Sequence, residues 1–550
     1  MKEIKEIADG QSFKNIIRNQ QIYVDKTQDI YNFLKIKSRL FLSRPRRFGK
    51  SLVLDTIATL FEKGVEPYFK DTWIYDKWKE ETYPVLRLNF LDFPTVDYDL
   101  FCEKFAREIQ CFANKNSFDN YEEVSKDPSS CITQIIRSVA DKDAQIVILI
   151  DEYDAQLTSN INNEDLYKKF QQCLRNVYGT LKGKEAIKFL GITGVTRLKD
   201  VSIFSVGSDI LDVSFHSLTA SIVGFTREEI VKYYLDYLKL GVSIEHSKPI
   251  EEVTNDEREQ FLNKIALEYN GYCFDEDNEV KVFSTWSVNS FFNDIKLKQK
   301  VKLKDYWYDN GGTPSILVNY LKTHKLDLLE FKPKEFLLTY DSFINPTSLQ
   351  TIDQKTLLVQ IGYLTLKSKI VSGNGVKVGL PNNEVYRALV CASFFKTFGF
   401  PIYLPDESIE KLKHGSAQDI IEIISSIIHT VPYDHDPIST ETILRDLVYM
   451  FFVGARVSIT PEFPNSDGRS DLEIEFMERR IVFEFKYAKT INDAKTKLTL
   501  AKKQIIEKDY GNHGPFKDYI RFALIYNGKT KKIAHFEEVP KNCELSKIIK

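Results

Sequence analysis

Apolar positions alternate between two spacings along the first 225 or so residues. Residues 39–42 form a short apolar run before a polar turn, and Leu52, Ile57, Leu60 and Phe61 then recur at helical spacing. Residues 85–90 alternate in the manner of a strand. Residues 146–150 are a continuous Ile/Val/Leu run, as in a strand covered on both faces, and residues 189–194 repeat the signature. Strands separated by helices predict a parallel α/β sheet. Residues 226–380 read as mostly helical, with turns at Asn270-Gly271-Tyr272 and Gly311-Gly312-Thr313-Pro314, a strand over 361–366 and a hairpin-like turn at 372–375. That pattern suits a helical lid with a β wing. Beyond 381, a helical stretch leads to 441–452. Strands over 470–476 and 481–487, a basic helix over 494–508 and a strand over 519–526 follow. The expected division is 1–230, 231–385 and 386–550.

Composition narrows the class. The 550 residues are 43% hydrophobic, 13% aromatic and 28% charged, enough apolar material for several cores, so wholesale disorder is excluded. A net charge of −3 excludes a globally basic coat, though not a local basic patch. Cys102, Cys111, Cys131, Cys173, Cys273, Cys391 and Cys543 form no CxxC pair, which argues against a disulfide framework and a structural zinc site. Residues 1–10 carry Lys and Glu without an apolar centre, so no signal peptide is expected. No stretch approaches the roughly 18 apolar residues of a spanning helix. A cytoplasmic protein with no membrane association is expected.

The segment Ser43-Arg44-Pro45-Arg46-Arg47-Phe48-Gly49-Lys50-Ser51 lies between an apolar run and an amphipathic helix. Gly49, Lys50 and Ser51 fit the second half of the P-loop pattern, while Arg44 stands at its first Gly position. Gly49 lets the backbone turn closely around an anion, and the following helix offers unpaired N–H groups. Lys50 can reach the β and γ phosphates and Ser51 can ligate Mg²⁺. Arg44, Arg46 and Arg47 add charge beside the loop. The run 146–150 ends in Asp151-Glu152-Tyr153-Asp154, the arrangement in which Asp151 holds Mg²⁺ and Glu152 polarises the attacking water. A third strand ends at Thr193 and continues to Arg197. Thr193 can sense the γ-phosphate and Arg197 can stabilise transferred charge, or the two can be a cap and a surface cation.

A second constellation lies near the C-terminus. Along 470–476, Asp471, Glu473 and Glu475 share a face; along 481–487, Glu484 and Lys486 share the face opposite Ile481, Phe483 and Phe485. A short turn would make the strands a hairpin and bring Asp471 near Glu484. Asp471 and Glu484, with the Phe485 carbonyl, can hold Mg²⁺ or Mn²⁺, and Lys486 can position water or stabilise phosphorane charge. The spacing D-x₁₂-E-x-K matches the PD-(D/E)XK nuclease core. Residues 479–508 hold nine Lys/Arg, Lys502 and Lys503 among them, against three Asp/Glu. Such a patch suits a phosphate backbone, or is a solvated helix face.

Taken in order, several motifs resemble the AAA-ATPase-like family over roughly residues 5–390. They are Tyr23-Val24-Asp25-Lys26-Thr27 with the loop from Arg44 to Ser51, Asp151-Glu152-Tyr153-Asp154, Ile192 to Arg197 and Gly224 to Ile230. Tyr269 to Tyr272, Trp286 to Asn289 and Gly311 to Ser315 continue the series. In that family the P-loop commonly reads R-P-R-R-F-G-K-S, so the missing first Gly is ordinary. The resemblance implies an ATP site built from Arg46, Arg47, Phe48, Gly49, Lys50, Ser51, Asp151, Thr193 and Arg197. Members often carry a C-terminal PD-(D/E)XK nuclease-like domain of α/β/α restriction-endonuclease type. Gln504, with Tyr510, resembles the substrate-positioning helix after that nuclease core. Glu462 matches an upstream Glu of the family, and Glu441 at a helix start is the alternative. The expected protein is an ATPase whose metal-dependent module cuts nucleic acid, DNA ahead of RNA, under nucleotide control; a homo-oligomer is left open. The alternatives are a nucleotide-switched regulatory or binding ATPase with a silent nuclease fold, and an ATPase that remodels a protein partner.

Overall fold

Apolar runs of the first 225 residues become the strands β1 (Arg39–Ser43), β2 (Val85–Asn89), β3 (Ile146–Asp151), β4 (Ile187–Gly194) and β5 (Leu211–Asp212). They pair in the order β2-β3-β4-β1-β5, all parallel. This computed structural model describes residues 4–8, 10–118, 125–197, 209–309, 316–317, 335–344, 346, 349, 351–432, 438–464, 468–476, 479–512 and 518–541. The chain divides into two compact units, Met1–Tyr386 and Arg387–Lys550. Helices of the first sheet region are α1 (Phe13–Arg18), α2 (Thr27–Ile36), α3 (Lys50–Lys63), α4 (Tyr98–Lys115), α5 (Pro128–Ala140), α6 (Ala155–Ser159) and α7 (Glu164–Leu181). β3 is buried along its whole length, as its unbroken apolar run requires. Because β3, β4 and β1 are neighbours in a parallel sheet, Asp151, Gly194 and Ser43 finish at the same edge.

The middle of the first unit is helical: α8 (Arg227–Tyr233), α9 (Leu235–His246), α10 (Asn255–Tyr269) and α11 (Thr285–Lys298). Capping boxes at Thr226/Glu229 and Thr254/Glu257 start α8 and α10. Tyr234, Tyr237, Phe261, Phe291 and Phe292 form their shared core. The wing is a three-stranded antiparallel sheet, β6 (Phe336–Leu338), β8 (Val376–Gly379) and β7 (Thr365–Leu366), in that order. The strand expected over 361–366 shrinks to Thr365–Leu366, preceded by a helix, Gln354–Gln360. Asp353 caps that helix by accepting from the N–H groups of Lys355 and Thr356. Gly362 turns the chain at φ 87°, against Pro45: a Cβ there would lie 2.7 Å from Pro45 Cβ. The turn expected over 311–314 lies outside the described residues.

The second unit carries a mixed sheet in the order β13-β12-β11-β10-β9. Its strands are β9 (Ile459–Pro464), β10 (Arg469–Glu475), β11 (Arg479–Ala488), β12 (Asp518–Asn527) and β13 (Lys532–Glu538). β11 and β12 run parallel, and the other neighbours are antiparallel. Phe483, Phe485 and Phe522 stack on one side of the strands, with Phe483 centred 5.9 Å from Phe485 and 5.7 Å from Phe522. On the other, Val482, Ala523 and Ile525 pack with Ala494, Ala501 and Ile505 of the helix Ile491–Glu507. The architecture is α/β throughout: a parallel P-loop sheet, a helical and winged middle, and a C-terminal mixed sheet with helices.

Candidate functional site

The loop after β1 turns into α3 through Gly49 at φ 96°. A Cβ there would meet nothing within 4 Å, so the backbone conformation, not space, calls for glycine. No side chain caps α3, which leaves the N–H groups of its first turn facing the loop. Lys50 Nζ donates to the carbonyls of Arg44 (3.1 Å) and Pro45 (3.2 Å) and lies 3.3 Å from Glu152 Oε1. Ser51 Oγ donates to Asp151 Oδ2 and Thr193 Oγ1 to Asp151 Oδ1, both at 2.5 Å. One carboxylate thus joins the ends of α3, β3 and β4. Asp154 accepts from the Thr196 N–H (2.7 Å), the Thr196 hydroxyl (2.5 Å) and the Val195 N–H (3.3 Å). Its burial, and then the charge of Glu152, push its carboxyl above the usual range.

Basic residues of the loop divide their duties. Arg44 is buried and donates to the carbonyls of Ser43, Ser214 and Thr219, with its guanidinium 4.6 Å from the Phe274 ring centre. It braces the loop from within and adds no charge at its mouth. Arg47 donates to the Tyr306 and Trp307 carbonyls at 2.8 and 2.9 Å and lies over Trp286. Phe48 is buried against Tyr272, Phe274 and Trp307. Arg46 is exposed. Arg197 Nε donates to Asp212 Oδ2 at 2.7 Å, and Gln360 accepts from the Arg197 N–H at 3.2 Å.

In the second unit the antiparallel register, Leu472 opposite Phe483, brings Asp471 beside Glu484. The Phe485 N–H donates to Asp471 Oδ2 at 2.7 Å. Lys486 Nζ donates to Glu484 Oε1 (2.6 Å), the Phe485 carbonyl (3.0 Å) and Glu441 Oε1 (3.1 Å). Glu484 Oε2 is buried without a hydrogen-bond partner among the described residues. Burial and then the charge of Asp471 push the Glu484 carboxyl up to about 8, and burial also raises Asp471. For Lys486 burial works against the charge, yet Glu484, Asp471 and Glu441 outweigh it and hold the ammonium above its ordinary range. No cluster of three or more His, Cys, Asp or Glu suited to a metal occurs among the described residues. The set is two carboxylates plus a carbonyl. It fits a hard divalent ion: oxygen donors, one of them an orphaned buried carboxylate oxygen, with an ammonium on the other Glu484 oxygen and on the Phe485 carbonyl.

Residues 9–204 match the family model described as "Predicted AAA-ATPase", and residues 439–536 match that of the PD-(D/E)XK nuclease superfamily. The chain carries an AAA-ATPase-like domain and a PD-(D/E)XK nuclease superfamily domain. A curated relative, described as an uncharacterized protein in the vnfD 5' region of Azotobacter chroococcum mcd 1, is 26% identical over 486 residues, covering 84% of this chain and 85% of its own. Two solved structures are distantly similar, each at 10% identity. The Aeropyrum pernix ORC2 protein, in ADPNP and ADP complexes, matches with a TM-score of 0.24 over 71% of this chain and 97% of its own. Cdc6p from Pyrobaculum aerophilum matches with a TM-score of 0.21 over 66% and 90%.

Within the AAA-ATPase-like domain Gly49, Lys50, Ser51, Asp151, Glu152 and Thr193 converge. Arg197 is close in sequence but committed to Asp212, a residue in a two-strand-position segment that no sequence pattern flagged. Asp154, part of the same acidic tetrapeptide, has a bracing task that its spacing from Asp151 could have suggested. Within the nuclease superfamily domain Asp471, Glu484, Phe485 and Lys486 converge. Glu441 joins them through Lys486, whereas Glu462 pairs with Arg445 at 2.8 Å. Gln504 Nε2 donates to the Tyr510 hydroxyl at 3.1 Å. Lys502 pairs with Glu537 (2.5 Å) and Lys503 with Glu507 (3.6 Å), so these two of the helix's four lysines are balanced locally.

Proposed function

We propose that the first unit binds and hydrolyses ATP with Mg²⁺ and that the second cleaves nucleic acid, DNA ahead of RNA, with Mg²⁺ or Mn²⁺. Lys50 and the open N–H groups of α3 grip the phosphates, Ser51 and Asp151 take the metal, and Glu152 orients the attacking water. At the second site Asp471, Glu484 and the Phe485 carbonyl would hold the divalent ion, which supplies water activation and charge neutralisation at a phosphodiester. With such an ion on Glu484 and the Phe485 carbonyl, Lys486 would keep its contact with Glu441 and could donate to the developing negative charge. Glu441 holds the ammonium at the site's edge.

The observation that carries the nuclease reading is the buried, partnerless Glu484 Oε2 beside Asp471 and Lys486. A carboxylate oxygen desolvated without a partner is costly unless a cation serves it. Cleavage of plasmid and single-stranded substrates, with and without Mg²⁺ or Mn²⁺, tests it. Glu484→Ala should abolish metal-dependent cleavage and leave ATP hydrolysis intact; Lys50→Ala should do the reverse to hydrolysis. Wild-type protein inert on every substrate with both ions would refute the nuclease reading. Nucleotide state is proposed to gate cleavage, on the ground that both sites share one chain; an unchanged cleavage rate and nucleic-acid affinity at saturating ATP analogue would remove that claim. A reducing compartment such as the cytoplasm suits the six described cysteines, none of which is joined in a disulfide.

A further inference from the structure

Two arginines flank the carboxylates of the second unit, and neither belongs to the set assigned to the metal. Arg445 lies on the helix Glu441–Gly454, four residues after Glu441, and positions i and i+4 stand one above the other on a helix. Glu441 already reaches Lys486 at 3.1 Å, so that face of the helix looks toward the site. Burial raises the Asp471 carboxyl, and the Phe485 N–H and the charges of Lys486 and Arg445 work against the rise, which sets the Arg445 guanidinium within electrostatic reach of Asp471. Arg469 opens β10 two residues before Asp471, so the two share a face of the strand. The Arg445 side chain is 12% exposed and that of Arg469 is 70% exposed.

Glu462 joins the two. Its Oε1 accepts from Arg445 Nη1 at 2.8 Å, and its Oε2 stands 3.9 Å from Arg469 Nη1. The register of β9 on β10, with Phe463 opposite Ser470 and Pro461 opposite Leu472, sets Glu462 across from Asp471. Its φ there is 47°, in the left-handed region that residues other than glycine rarely adopt. Backbone of that kind persists where its surroundings hold it, and it gathers at functional sites. Arg445 is under-used: Nη1 serves Glu462, Nη2 is 3.5 Å from Asp446 Oδ1, and Nε is buried with no hydrogen-bond partner among the described residues. Glu462 itself is 54% exposed, so its ion pairs are weak and easily displaced. Two guanidiniums on one exposed carboxylate make an oxyanion site filled from within. A phosphodiester, with one negative charge shared by two free oxygens, suits the same forks.

We infer that Arg445 and Arg469 clamp a backbone phosphate of the nucleic acid beside the metal site, and that Glu462 fills the clamp in the free chain and is displaced when the strand binds. The inference rests on the nuclease reading above, and the two fail separately. The test is fluorescence anisotropy of the full chain with a labelled DNA duplex, in Ca²⁺ and across a salt series, beside Mn²⁺ calorimetry. Arg445→Ala and Arg469→Ala each raise the DNA Kd by about three- to tenfold and lower the slope of log Kd against log salt by about 1, as the loss of one phosphate contact does. Glu462→Gln has the opposite sign: it tightens DNA binding by about threefold, the scale of an exposed ion pair that no longer competes, and leaves the Mn²⁺ Kd unchanged. An ion pair that only braced the strands would give weaker or unaltered DNA binding when Glu462 is neutralised. That variant decides the matter even where an arginine variant fails to fold. DNA binding by Glu462→Gln no tighter than wild type, arginine variants that bind DNA as the wild type does, or loss of Mn²⁺ binding in Glu462→Gln would each overturn the inference while the nuclease reading stands. Wild-type protein that binds no DNA would overturn the nuclease reading and this one together.

Discussion

At the residue scale, neighbouring positions of one loop differ in what they require. Gly49 needs its left-handed φ of 96° but has open space around its Cα. Gly49→Ala should therefore cost only the backbone term, about 1–2 kcal/mol, measured as a fall in the denaturation midpoint. Gly194 has no unusual φ, yet a Cβ there would lie within 2.7 Å of Asp154 Oδ1 and even closer to the Tyr153 ring. Gly194→Ala should cost more than Gly49→Ala, because a buried ring and the carboxylate that braces Thr196 must both move. Equal losses in the two variants would contradict this. Glu484 makes a pH prediction. Folding raises its carboxyl from 4.5 to about 8, so the folded form holds its proton more tightly than the unfolded chain does. The stability this contributes is full below pH 4.5 and is lost as pH rises through 8. Metal-free protein should become less stable across that window, and Glu484→Gln should flatten the dependence. Mn²⁺ affinity should rise with pH up to about 8, since the ion must displace that proton; calorimetry at three pH values checks it.

At the element scale, the sequence patterns were legible wherever a side-chain period met a buried face. The unbroken run at 146–150 and the alternation over 481–487 both became strands, and the alternation put Asp471 and Glu484 on neighbouring strands with the metal-type face in common. β9 carries Pro461 and Pro464 and β5 is two residues long, so neither has a period to read. Arg44 was misleading for another reason. Local charge suggested the phosphate, but the carbonyls that claim its guanidinium, those of Ser214 and Thr219, are 170 and 175 residues away in sequence. Local charge makes Lys502 and Lys503 part of a basic helix face, whether for a phosphate backbone or for solvent, but Glu537, from a strand beyond the helix, already balances the first. Local pattern thus predicts elements and chemistry-bearing spacings; the pairing of a charge is a tertiary property. The aromatic side of β11 offers a test at this scale. Phe483 is fully buried against Phe485 and Phe522. Phe483→Ala should destabilise the second unit by about 3–5 kcal/mol, seen in its unfolding transition, and metal-dependent cleavage should fail in parallel with the fold. A shift below about 1 kcal/mol would mean that the rings do not hold the strand.

At the scale of the whole molecule, each compact unit has its own sheet and its own set of converging acids and bases. Ligands that bind only the folded form stabilise the unit that holds them, by about 2.7 kcal/mol at a hundredfold excess over Kd. A non-hydrolysable ATP analogue with Mg²⁺ should therefore raise the first unit's melting temperature, an effect that Lys50→Ala removes. Mn²⁺ should raise the second unit's, an effect that Glu484→Ala removes. If nucleotide gates cleavage, the two cannot remain independent. A coupling free energy is reciprocal: whatever factor the nucleotide applies to nucleic-acid affinity, nucleic acid must apply to nucleotide affinity. Bound substrate in the presence of Ca²⁺ should then shift the ATP-analogue Kd by the same factor by which the analogue shifts substrate Kd, and Glu484→Ala, which keeps the chain whole, should keep or lose both shifts together. An unchanged Kd on both sides of the cycle would rule out thermodynamic gating and leave two sites that merely share a chain.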